Sequence, residues 1–185
     1  MRSFLAGFVI MLSVVAAVSL VVYRGIVSKH AAVAAKWNRV AVRLHDRNLL
    51  IPALEKKVRE YADHEEAMFA ALSAAGTGWD KASGMEEKIR AALVLDAALA
   101  HLLRTSDNYS KLQAEPGFIK LKKELSVNEE IVSADRGLFN ESVREYNSAL
   151  KVFPGNLFAA RYGYKPFSEY HKTEQKPKTI GRIKL

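Results

Sequence analysis

The chain has 185 residues, 49 % apolar and 26 % charged, which allows a packed core and excludes wholesale disorder. It has no cysteine, so disulfides, thiolate catalysis and cysteine-ligated zinc are excluded. With 28 Lys and Arg against 20 Asp and Glu, the net charge is +8, an excess that favours anionic partners such as phospholipid headgroups or nucleic acid.

The first element is apolar. Residues 3–23, SFLAGFVIMLSVVAAVSLVVY, carry no charge. As a helix they span about 31 Å, the hydrocarbon thickness of a bilayer. A cleaved signal peptide is the alternative, with Arg2 as its basic start and Val15-Ala16-Ala17 as a cleavage site. The run continues past that site to Tyr23, longer than a signal peptide's apolar region, and this favours a retained anchor. Only Arg2 precedes the span, whereas Arg24, Lys29, Lys36, Arg39 and Arg43 follow it. The positive-inside rule then predicts a cytoplasmic C-terminal domain. An extracytoplasmic placement stays open, because an amphipathic helix would carry those basic residues anyway.

A heptad frame follows. Val33, Trp37, Val40, Leu44, Arg47, Ile51, Leu54, Val58, Tyr61, Glu65, Met68 and Leu72 step by alternating fours and threes, as one stripe of a bundle helix requires. The phase runs through Pro52, which predicts one long kinked helix over 31–75. Glycines 76, 78 and 84 predict a loop over 76–85. A second helix is expected over 86–104, with Ile89, Ala92, Leu93, Leu99, Ala100, Leu102 and Leu103 as its apolar positions.

The third helix is expected from Pro116, suited to a first turn, to about Phe153. Phe118, Leu125, Val132, Phe139, Tyr146 and Phe153 recur every seven residues, almost two helical turns, and so share one stripe. Asn140 and Asn147 each follow an aromatic residue of that stripe. They lie about 100° round the helix, where the expectation is hydrogen bonding to a neighbouring helix. NLFAARYGY, residues 156–164, reads as a short amphipathic turn folding back on the bundle. The tail carries Lys172, Lys176, Lys178, Arg182 and Lys184 against Glu174. It reads as a solvated end, with attraction to anionic lipid as its functional alternative.

The fold expected is all-α: an N-terminal transmembrane helix, an antiparallel bundle of three long helices, and a short C-terminal helix. Its units are an anchor (1–30), a helical bundle (31–165) and a basic tail (166–185).

An ordered set of residues resembles the bacterial LemA family from about Trp37 to Tyr164: Trp37, Leu50-Ile51-Pro52, Tyr61 to Glu65, Leu99, Leu102, Tyr109, Leu112, Phe118, Leu121, Glu129, Val132, Arg136, the two aromatic-Asn pairs, Phe153 to Asn156, and Gly163-Tyr164. The resemblance implies a membrane anchor and an antiparallel helical bundle. It implies neither an established enzymatic activity nor a cofactor, and one member class acts in magnetosome membrane formation. The chain departs from the family pattern at Ala41, Leu49, Ala53 and Ser110, where the family has two acidic residues, an Asn and a Pro. Any polar site shared by the family would be incomplete here.

No catalytic constellation stands out. The residues three before His45, His64 and His101 are Val42, Tyr61 and Ala98, so the Glu-x-x-His of di-metal bundles is missing. Met68 stands where a zinc-protease helix starting at His64-Glu65 needs its second His. Gly76-Thr77-Gly78 lacks the Gly-Lys-Ser/Thr of a phosphate loop. The candidates left are polar residues in the seam: Arg47, Glu65, Glu129, Arg136, Asn140 and Asn147, with Asn128, Asp135 and Ser142 beside them. The bland reading is that they fix helix register; the functional one is that they line a polar groove. The function expected is a non-enzymatic scaffold or adaptor in a bacterial inner membrane. It would bind an unknown protein partner or itself, with no cofactor and no metal. Binding of anionic lipid or nucleic acid is the alternative. Nucleic acid is disfavoured because its stacking aromatics would have to leave the core.

Overall fold

The computed structural model describes residues 2–62 and 64–171. The architecture is all-α, and no strand occurs among the described residues. α1 (Arg2–Arg59) is one helix of 58 residues. It contains the apolar span and the first bundle helix without a break between them. It also contains Pro52, which lies on its exposed side. α2 (Glu66–Lys81) and α3 (Gly84–Ser106) form a hairpin joined by two residues, Ala82 and Ser83. A single turn, α4 (Ser110–Gln113), leads into α5 (Pro116–Lys151) and then α6 (Gly155–Tyr162).

α1 and α5 make the spine. Ion pairs join Lys29 to Glu145 (2.8 Å), Arg39 to Asp135 (2.8 Å), Arg47 to Glu129 (3.3 Å) and Lys57 to Glu115 (3.4 Å). One number falls as the other rises, so the two helices are antiparallel. Between them lies the stripe predicted on α1: Val33, Trp37, Val40, Leu44, Ile51, Leu54 and Val58 are all buried. Facing it are Phe118, Leu125, Val132, Phe139 and Tyr146, with Trp37 against Phe139 at 5.5 Å between ring centroids. The seven-residue spacing therefore marks the core, as expected, up to Tyr146. Phe153 is the exception at 75 % exposure. α5 stops at Lys151 and Val152 turns extended, which takes Phe153 off the stripe.

Two further expectations need correction. The helix predicted over 31–75 ends at Arg59, in a corner before α2 starts at Glu66. There the Tyr61 and Ala62 N–H groups both bond to the Val58 carbonyl. Met68 and Leu72 keep their inward phase only because α2 resumes it on the other side of the corner. The loop predicted over 76–85 is mostly helix. Gly76 and Gly78 lie inside α2, in spite of a propensity penalty of about 1 kcal/mol each. The buried Trp79 holds that turn in place. Its Nε1–H reaches the side-chain oxygen of Asn48 at 3.2 Å when that amide is turned to satisfy both its neighbours. Among the described residues there are therefore four long helices, α1, α2, α3 and α5, each antiparallel to the next.

Residues 164–171, partly assigned to the tail from sequence, are docked. Gly163 takes the left-handed conformation (φ 72°) that ends α6 and turns the chain back. An extended strap then runs along α5 to Tyr170, which is fully buried. The basic residues from Lys172 onward lie outside the described residues.

Candidate functional site

Three of the six seam residues meet directly. Arg47, on the buried stripe of α1, is 1 % exposed. Its Nη1 lies 2.5 Å from Asp96 Oδ1 of α3 and 3.3 Å from Glu129 Oε2 of α5. Glu129 Oε1 faces Arg136 Nη2 at 3.8 Å, one helical heptad along α5. Arg136 in turn lies over the Tyr170 ring at 5.2 Å, and the Tyr170 hydroxyl donates to Asp96 Oδ2 at 3.4 Å. Two guanidiniums, two carboxylates and a phenol thus close a ring that ties α1, α3, α5 and the strap together. The formal charges cancel, which limits the cost of enclosing them. Burial, then the Asp96 carboxylate, push the Tyr170 phenol well above its usual range.

Asn140 and Asn147 act on the strap. Asn140 accepts from the Tyr170 N–H (2.8 Å) and donates to the Tyr170 carbonyl (2.9 Å). Asn147 does the same for Phe167, accepting at 3.0 Å and donating at 2.8 Å. Each carboxamide mimics the edge of a β-strand. Three extended residues advance about 10 Å and seven helical residues about 10.5 Å, so the two pairings fall in register. The expectation that these amides bond a neighbouring helix is therefore corrected: their partner is an extended backbone. The strap's aromatic residues support the pairing, with Phe167 against Tyr146 at 5.2 Å and His30 at 5.3 Å.

Glu65 is not part of this assembly. It sits in the corner before α2, half-buried, where its carbonyl accepts from the N–H groups of Met68 and Phe69. Asp135 is buried and pairs outward with Arg39 (2.8 Å) and Arg43 (4.0 Å). The Ser142 hydroxyl donates to the Phe139 carbonyl at 2.7 Å within its own helix. Asn128 is half-buried. His45, His64 and His101 are exposed.

Sequence reasoning missed Asp96 and Tyr170. Asp96 carries a legible signal, because it is a lone carboxylate on the stripe of Ala92, Leu95, Leu99 and Leu102. Opposite a buried Arg47 it is the natural counter-ion.

A cleft of about 350 Å³ opens beside the ring between α3 and α5. Arg47, Asp96 and Glu129 form its polar end, and Leu99, Leu103 and Leu125 line its wall. Chemically, the ring offers paired charges already engaged with one another.

The LemA family profile matches residues 36–184. The chain belongs to the LemA family. No curated protein matches it. The match to LemA begins one residue before Trp37 and covers the bundle, the polar ring and the strap. The apolar half of α1 precedes it. That half, one helix long and apolar enough to cross a membrane, has a mean hydropathy of 2.5 in its most apolar window and none of that window is buried.

Proposed function

We propose that this LemA-family protein is a membrane-tethered scaffold or adaptor without catalytic activity, working in the organisation of a membrane or envelope. The observation that carries the reading is the continuity of α1. The exposed apolar half and the bundle half are one helix, so a partner held by the bundle stands at a fixed height and orientation above the lipid. The engagement of the ring carboxylates by Arg47 and Arg136 supports a structural rather than an acid–base role. The basic flank of the span supports a bundle on the cytoplasmic face of a bacterial inner membrane.

The test is purification of the full-length protein from its own membranes after chemical crosslinking. A stoichiometric partner or a defined self-oligomer is expected; a lone monomer counts against the reading. The +8 charge favours a second reading, binding to an anionic surface. Binding to anionic vesicles or nucleic acid that collapses with added salt would favour that alternative.

A further inference from the structure

α6 packs against α1 where the apolar run meets the bundle. The Tyr23 ring lies 6.5 Å from that of Phe158 and 5.3 Å from that of Tyr162. Gly155 fits so tightly that a Cβ there would lie 2.1 Å from the Ala149 carbonyl oxygen, with Ile26 close behind. These contacts fix α6 as a cross-bar at the height of Tyr23 to Ile26, where the uncharged run gives way to Arg24.

Under the cross-bar lies a cleft of about 480 Å³. Val14, Val15 and Val18 of α1 form one wall and Phe153 and Leu157 the other, with Arg161 also lining it. Phe153 is 75 % and Leu157 58 % exposed. Val14 stands nine residues before Tyr23, about 14 Å further down the helix axis. With residues 3–23 in a bilayer, this cleft therefore opens into hydrocarbon and the cross-bar lies in the headgroup layer.

We propose that α6 with Phe153 is an interfacial element, and that the cleft holds an acyl chain of a glycerophospholipid whose phosphate pairs with Arg161. The proposal rests on the anchor reading above. Apolar walls that run unbroken into the span, with a guanidinium among them, match a lipid. An extended peptide would bring backbone groups that these walls leave unsatisfied, and a helix would offer the guanidinium no anion. Tyr23 and Tyr162 stand at the level where amphipathic rings favour the membrane–water boundary.

The experiment uses full-length protein in phosphatidylethanolamine and phosphatidylglycerol vesicles whose acyl chains carry bromine, a contact quencher of tryptophan. The native Trp37 and Trp79 are buried in the bundle and supply an unquenched background. Three reporters are compared: Leu157→Trp in the cross-bar, Val9→Trp in the span and Ile119→Trp at the far end of the bundle, all at exposed positions. Quenching at 157 and 9 but not at 119 is expected. Quenching at 9 alone overturns the proposal and leaves the anchor standing; no quenching at 9 removes the anchor and the proposal with it. In mild detergent, Arg161→Glu should at least halve the phospholipid phosphorus that copurifies with the chain. Unchanged phosphorus would overturn the phosphate contact.

Discussion

Arg47 sits where a leucine would satisfy the heptad, and it is tolerable there only because two carboxylates reach it. Arg47→Met should cost about 3–5 kcal/mol, since it strands Asp96 beside Glu129. Adding Asp96→Leu should recover most of the loss, and urea unfolding of the four proteins in a double-mutant cycle measures the coupling. The carboxamides work differently. Asn147→Leu should leave the bundle folded but free the strap, speeding hydrogen exchange over residues 164–171 roughly tenfold or more. Unchanged exchange would show that Asn147 does not hold it. Tyr170 adds a pH dependence. Its folded-state phenol titrates above its unfolded value, so its contribution is complete below about pH 10 and is lost as pH rises beyond that. Alkaline melting should therefore be shallower in Tyr170→Phe than in the parent. Arg47, Glu129, Arg136 and the two Asn residues were legible as seam positions, because helical periodicity places a polar residue on an apolar stripe. The strap that Arg136, Asn140 and Asn147 hold was not, since Phe167 and Tyr170 lie on a segment with no period to read.

Among the elements, α1, α3 and α5 followed from spacing, and α2 did not. Heptad phase survives a corner, so the pattern from Val33 to Leu72 could not reveal that the chain turns between α1 and α2. Glycine was misleading in the opposite direction. A Cβ at Gly76 or Gly78 meets nothing within 4 Å, and both sit inside α2. Gly76→Ala and Gly78→Ala should each stabilise the protein by about 0.5–1 kcal/mol, measured as a shift in the urea midpoint. At the start of α5, Glu115 caps the helix by accepting from the Phe118 N–H. That bond, aided by the Gly117 N–H and Lys57, holds its carboxyl below the usual range. Its contribution is complete above the unfolded value, near pH 4.3, and disappears as pH falls through the lower folded one. Acid fraying of the start of α5 should be suppressed in the parent relative to Glu115→Gln above that value and equal to it well below.

For the whole molecule, the decisive property is stiffness between the exposed apolar half of α1 and its bundle half. The chain has no cysteine, so Val21→Cys and Val42→Cys, both exposed, can carry spin labels without background. An unbroken helix puts their backbones about 32 Å apart with a narrow distribution. A broad one would reveal a hinge near Arg24 and remove the basis for a fixed height. The all-α class, with a long apolar N-terminal helix ahead of a bundle, was readable from hydropathy and phase alone, whereas the docked strap was not. That strap has a consequence of its own. Its two pairings recognise main chain, and they lock only when two residues, Ser168 and Glu169, stand between Phe167 and Tyr170. Ser168 can therefore change its side chain without touching either pairing, and Glu169 would give up only its ion pairs with Arg144 and His171, yet dropping either residue would shift Tyr170 out of its slot and open the charge ring. The segment behaves as a ruler, strict about count and lenient about spelling.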